Sequence, residues 1–182
     1  VENFTYIESP FDIGKDIETL SQFRDIKTIA ILVNPELKSS NYKLDRHYAR
    51  PENIEYRLVS IKNDPGPVID SIGDDVDAVY LFSTLPGYNQ AKTERLFQGI
   101  TDKGIPSLSF IDYPMLDYGA YAAYSSEENI QKIPRRVALN VSKIAEGINP
   151  KDLPVQMETF GSQLLINMEV VNQTGVYPNW TM

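Results

Sequence analysis

Three apolar runs constrain this chain more than any other feature. They are Lys27-Thr28-Ile29-Ala30-Ile31-Leu32-Val33, Val76-Asp77-Ala78-Val79-Tyr80-Leu81-Phe82 and Ile105-Pro106-Ser107-Leu108-Ser109-Phe110-Ile111. The first is unbroken from Ile29 to Val33 and rich in β-branched residues. A strand with one wet face would alternate, so an unbroken run predicts a strand buried on both faces, as in a parallel sheet. Asn34-Pro35 stops it, and Pro106 is tolerable because it stands at a strand start.

Helix-forming stretches separate the strands. The polar stretch from Leu37 to Ala49 predicts a helix ended by Pro51, and Ile54 to Ile61 alternates enough for a further strand. Asn63-Asp64-Pro65-Gly66-Pro67 is a turn signal, with a short helix over Val68–Ile72. Asn89 to Lys103 carries Ala91, Leu96 and Ile100 on one face and stops at Gly104. Tyr118 to Tyr124 reads as a short strand or hairpin arm. Asn129 to Gly147 is the longest predicted helix, with Ile133, Val137, Val141 and Ile144 at helical spacing and Pro134 expected in its first turn. Beyond it, Val155 to Phe160 reads as a strand, and Leu164 to Gly175 as a strand or short helix. The alternation predicts an α/β fold: an open, mostly parallel sheet with helices on both faces.

Composition excludes several classes. The net charge of −8, with no basic stripe, argues against a nucleic-acid partner. No apolar run approaches the roughly 20 residues that span a bilayer. With no cysteine, disulfides, thiolate metal sites and cysteine nucleophiles are excluded. Four N-x-S/T sequons, at Asn3, Asn140, Asn172 and Asn179, are at the level chance supplies. The single histidine, His47, lies among Arg46, Tyr48 and Arg50, with no G-x-S-x-G elbow to make a hydrolase of it. No D-x-D-x-D-G, H-E-x-x-H, G-x-G-x-x-G or P-loop occurs. Asp74, Asp75 and Asp77 fall around a strand start, the wrong edge for this fold's chemistry, and read as a solvated turn. The expectation is no catalysis, no metal and no cofactor.

In an open α/β sheet, ligands sit beyond the carboxyl ends of the strands. That rule nominates Asn34, Ser39 and Ser40 after the first strand and Ser83 and Thr84 after the third. After the fourth it nominates Asp112 and Tyr113, with Asp117 and Tyr118. The same residue types are the ordinary formers of turns and caps, and that reading stays open for each of them. The tyrosines at 113, 118, 121 and 124 either form an aromatic rim or pack within the fold, and packing is the simpler account.

Three stretches carry a resemblance. Val76-Asp77-Ala78-Val79-Tyr80-Leu81 resembles the "VDAVYVP" strand of the ABC-transporter substrate-binding family, which has the type I periplasmic-binding-protein fold. Gly104-Ile105-Pro106 with Gly119-Ala120-Tyr121-Ala122 is similar to that family's "GIPV…GALA" segment. Gly147-Ile148-Asn149-Pro150-Lys151-Asp152-Leu153-Pro154-Val155, with Leu165-Ile166-Asn167 and Thr174-Gly175-Val176, is similar to its ending. Asn3-Phe4-Thr5-Tyr6-Ile7 resembles the strand that leaves the family's first lobe.

The resemblance implies a second lobe with both inter-lobe crossovers. Residues 1–24 would then be the crossover from a first lobe, 25–153 the α/β lobe, and 154–182 the return crossover and tail of a continuing parent chain. Hinges would fall near Asp12–Asp16 and Pro154–Thr159. It further implies a small, polar, amino-acid-like solute held between lobes, an ABC permease or envelope partner, and a periplasmic or other extracytoplasmic location. One departure stands out: where the family commonly carries an Asp-Asn pair after the third strand, this chain reads Ser83-Thr84-Leu85-Pro86-Gly87. Hydroxyls cannot neutralise a buried cation. The alternative is therefore an accessory interaction domain of the same fold in a sensor or an outer-membrane efflux component. A flavodoxin-like or receiver-like domain would share the sheet order but lacks the acidic cluster after the first strand.

Overall fold

The computed structural model describes residues 4–6, 13–36, 53–110, 114–125, 127–154 and 163–179. The helix expected over 37–49 and the strand expected over 155–160 lie outside these residues. The chain divides into two compact units, Asp12–Tyr124 with Leu164–Met182, and Val1–Phe11 with Ser125–Gln163.

The strands are β1 (Thr28–Val33), β2 (Glu55–Ser60), β3 (Ala78–Leu81), β4 (Ser107–Ser109), β5 (Ala122–Ser125) and β6 (Gln163–Ile166), in the sheet order β2-β1-β3-β4-β5-β6. β1 to β5 run parallel. Just past β6, the N–H of Asn167 donates to the carbonyl of Tyr121, just before β5, at 2.9 Å. The end of β6 therefore lies beside the start of β5, and the edge strand runs against the other five. Every residue of β1 and β3 is buried. The first two apolar runs thus occupy adjacent interior strands, where both faces are covered. Fully burying one Ile or Leu side chain stabilises by roughly 1.5–3 kcal/mol.

On one face, α2 (Pro65–Ser71) and α3 (Gln90–Asp102) pack Val68, Ile72, Leu96, Phe97 and Ile100 against Ala30, Leu32, Val79 and Leu81. α3 begins where its cap predicts: the Asn89 side chain accepts from Lys92 N–H at 3.0 Å. Gly104 follows its end at φ 69°, a left-handed conformation that favours glycine. α2 begins at Pro65, earlier than the expected Val68, because Asp64 caps it by accepting from Gly66 N–H at 3.0 Å.

The opposite face carries α1 (Ile13–Ser21), whose Ile13, Ile17 and Leu20 are buried. The Tyr80 hydroxyl on β3 donates to the carboxylate of Asp16 on α1 at 2.6 Å, in a buried setting. Asp16 is therefore a fixed attachment of the helix to the sheet, although it stands at the end of the stretch expected to flex. Phe23 and Tyr121 pack ring to ring at 5.4 Å, and the Tyr121 hydroxyl donates to the carbonyl of Val176 at 2.9 Å. Tyr124 contacts the Thr19 hydroxyl at 3.3 Å. Of the clustered tyrosines, Tyr118, Tyr121 and Tyr124 thus pack within the fold, and burial pushes the phenols of Tyr121 and Tyr124 up to about 12.

Two local expectations change, and one element is added. Met115 and its neighbours form a one-turn helix, α4 (Pro114–Asp117), before β5. The segment expected as strand or helix after Leu164 is both: β6, then α6 (Met168–Thr174), with Asn167 capping by accepting from Glu169 N–H at 3.0 Å. In the smaller unit, α5 (Glu127–Ala145) starts earlier than Asn129, so Pro134 sits inside the helix and not in its first turn. The polar Glu127-Glu128-Asn129 stretch joins the helix, and an N-terminal extension carries no apolar period by which to see it.

Candidate functional site

In this strand order, β1 is followed by β2 on one side, and the chain then crosses to β3 on the other. The carboxyl ends of β1 and β3 therefore flank a crevice, the position where open α/β sheets hold ligands. The register Leu32–Leu81 and Leu81–Ser109 brings Val33, Phe82 and Phe110 level at this edge, with Asn34 and Ser83 next beyond.

Two nominated residues meet there. The backbone N–H of Asn34 donates to the Ser83 hydroxyl at 2.7 Å, across 49 residues of sequence. The Asn34 side chain accepts from Glu36 N–H at 3.0 Å and shapes the turn after β1. A serine hydroxyl has one donor and two acceptor sites. Accepting from Asn34 leaves the Ser83 proton, whose protein contact is a long one of 3.5 Å to the Thr84 carbonyl. Thr84 is exposed at the same rim.

Gly87 holds the loop in place. It has φ 76°, and a Cβ there would lie 2.5 Å from Oδ1 of Asn63, so the loop rests against the turn after β2 as only glycine allows. Tyr88, further along, has its hydroxyl oxygen buried with no hydrogen-bond partner among the described residues, and burial pushes its phenol up.

Sequence reasoning missed the aromatic component of the rim. Phe82 and Phe110 stack with ring centroids 6.4 Å apart and planes 29° apart. Each directly follows a strand on the ligand edge, and that position was the available signal. Of the other nominated residues, Ser39, Ser40, Asp112 and Tyr113 lie outside the described residues. Tyr118 stands before β5, at the amino ends of the parallel strands, and packs against the core. It lines a cavity of about 670 Å³ on the helical flank, with Glu94, Arg95, Asp117 and Glu169. That cavity is separate from the strand-end crevice, and the crevice has the better claim because converging backbone ends and caps occur there.

The aspartates at the opposite edge have structural work. Asp77 accepts from the N–H groups of Lys27 and Thr28 at 2.9 and 3.0 Å, fastening the start of β1. Asp75 takes both guanidinium arms of Arg57 at 2.8 and 2.9 Å, which holds its carboxyl down at about 2. Among the described residues no His, Asp and Glu side chains group into a metal site. Among the same residues no helix is long and apolar enough to cross a membrane.

A sheet of this order and direction defines the fold class: α/β, with an open, mostly parallel sheet and helices on both faces. No protein-family model and no curated protein matches the sequence. Solved structures do match in fold. One is a conserved domain protein from Vibrio cholerae O1 biovar El Tor, with TM-score 0.70 and 21% identity, covering 96% of this chain and 58% of its own. A second is CD0873, a substrate binding protein with adhesive properties from Clostridium difficile, in its ligand-free open form. It has TM-score 0.65 and 17% identity, over 97% of this chain and 60% of its own. A third is an ABC domain from Streptococcus pneumonia in complex with L-Trp, with TM-score 0.60 and 12% identity, over 89% and 56%. The chain therefore spans somewhat over half the length of these structures.

Proposed function

We propose that this chain is a solute-binding module, one lobe of a two-lobed protein that serves an ABC-type transport system outside the cytoplasmic membrane. It captures a small polar ligand and performs no catalysis. The supporting observation is the joined pair at the β1–β3 switch point, Asn34 and Ser83, with Thr84 beside them. Ser83 is pre-oriented: its oxygen is held by the Asn34 N–H, so its proton is directed to a ligand acceptor or to the weak Thr84 contact. The Phe82–Phe110 pair adds an apolar wall. Closure of a second lobe over this edge would exclude water and strengthen each hydrogen bond.

A thermal-shift screen of the natural full-length polypeptide against amino acids, short peptides, sugars and nucleosides tests this. Ligand at about 100 times its Kd adds about 2.7 kcal/mol, a rise of several degrees in Tm. Given a hit, Thr84→Ala, which leaves the Asn34–Ser83 bond intact, should weaken binding by about 1–3 kcal/mol if Thr84 bonds the ligand.

The absence of a carboxylate from Phe82 to Tyr88 favours a second reading, an accessory interaction domain of the same fold in an envelope protein. A panel silent on a well-folded sample would favour it over the first.

A further inference from the structure

The cavity on the helical flank lies wholly within the sheet-bearing unit and is walled by α3, α4 and α6. Its volume of about 670 Å³ is that of a small-molecule site. Glu94 and Thr101, two turns apart on α3, share the face turned to it. Asn167 fixes the opposite wall: its amide donates to the Leu116 carbonyl at 3.1 Å while its oxygen caps α6. Thr101 is 5% exposed and lines the cavity, and its hydroxyl makes no hydrogen bond among the described residues. A helical threonine can return its hydroxyl to a carbonyl one turn back. Thr93 on the same helix does so to Asn89 at 3.0 Å, and Thr174 on α6 to Val170 at 2.9 Å. The Thr101 hydroxyl is left for whatever occupies the cavity.

Charge gives the class of occupant. Glu94, Asp117 and Glu169 line the cavity with a single cation, Arg95, for a net charge of −2. Arg95 is drawn aside to Asp64 at 3.7 Å. Lys92 and Lys103 turn to the Gly87 carbonyl at 3.4 Å and to Asp74 at 3.0 Å. Among the described residues no carboxylates group closely enough to hold a metal ion, so the negative charge is spread along the walls. We infer that this cavity is a second binding site, for a short aliphatic diamine. Both amines are charged at neutral pH and pair with the separated carboxylates. One ammonium group donates to the Thr101 hydroxyl, and the methylene chain lies on Leu116, Tyr118 and Val170. The site is distinct from the strand-end crevice and does not depend on solute binding there.

Isothermal titration of the natural full-length polypeptide with putrescine tests this. One saturable site is expected, with butylamine, which carries a single ammonium group, binding about 10-fold more weakly. Thr101→Val keeps the shape and removes the hydroxyl, and Glu169→Gln removes a charge; each should weaken putrescine by about 10-fold. Thr101→Ser, which restores a hydroxyl, should recover the affinity. Glu169 is exposed, so Glu169→Gln carries the test should Thr101→Val disturb folding. Magnesium, a compact dication, should not displace the diamine. Absence of saturable binding would overturn the inference, as would displacement by an equal concentration of magnesium, which marks diffuse surface charge. So would an affinity that Thr101→Val and Glu169→Gln leave unchanged. Loss of putrescine binding in Thr84→Ala but not in Glu169→Gln would move the diamine to the crevice and likewise remove this site.

Discussion

The sheet-bearing unit and the α5 unit solve opposite problems with the same kinds of residues. In the first, every β1 and β3 side chain is buried, and a carboxylate drawn into that interior, Asp16, accepts the Tyr80 hydroxyl. In the second, an amphipathic helix leaves its aliphatic stripe exposed and covers Asn140 instead. The sheet has both faces closed from within its own unit by α1, α2 and α3. Apolar periodicity makes a face, and a neighbouring surface of the right kind decides whether that face becomes a core.

The largest expected effect tests this contrast directly. Leu96→Ala, in the α3 core, should destabilise the chain by about 2–5 kcal/mol in urea unfolding. Val141→Ser, on the α5 stripe, should change it by less than about 0.5 kcal/mol. Comparable losses at the two positions would erase the distinction between the units.

A smaller effect comes from the buried link. Tyr80→Phe keeps the ring and removes one donor to Asp16, which should cost about 1–3 kcal/mol. Helix α1 should then show faster hydrogen exchange while α3 is unaffected. Uniform exchange across both helices would mean that Tyr80 does not fasten α1 in particular.

The smallest effect is one of pH. Burial raises Tyr121 and Tyr124 to about 12, above the ordinary phenol value of 10. A folded pKa above the unfolded one gives stability that is present below pH 10 and lost as pH rises towards 12. Absorbance titration at alkaline pH should show two late phenols that titrate normally once the chain is unfolded. Normal titration in the folded chain would show that the sheet face under α1 is open to water.

Much of the architecture was legible because its causes are local or compositional. The runs at Ile29–Val33 and Val76–Phe82 announce central strands, because only a strand covered on both faces tolerates no alternation. Asn89 and Gly104 announce the ends of α3, because capping is settled within four residues. The segment from Leu164 stayed ambiguous because Asn167, the cap that divides strand from helix, has apolar residues on both sides, Ile166 and Met168, that fit either element.

The candidate site was half legible. The rule about carboxyl edges nominated Asn34, Ser83 and Thr84 from strand order, but it gave no weight to Phe82 and Phe110, which look like ordinary strand residues until the register sets them level. The rule also nominated Tyr118, which the turn through α4 carries to the opposite edge. By itself the sequence determined the alternation of elements, the parallel central strands and the capped helices, because each follows from short-range sterics and burial. Only the tertiary structure decided that Asn34 meets Ser83 across 49 residues, that Asp16 meets Tyr80 across 64, and that the stripe of α5 is left exposed. Those facts depend on which surfaces approach one another, and no local pattern encodes that.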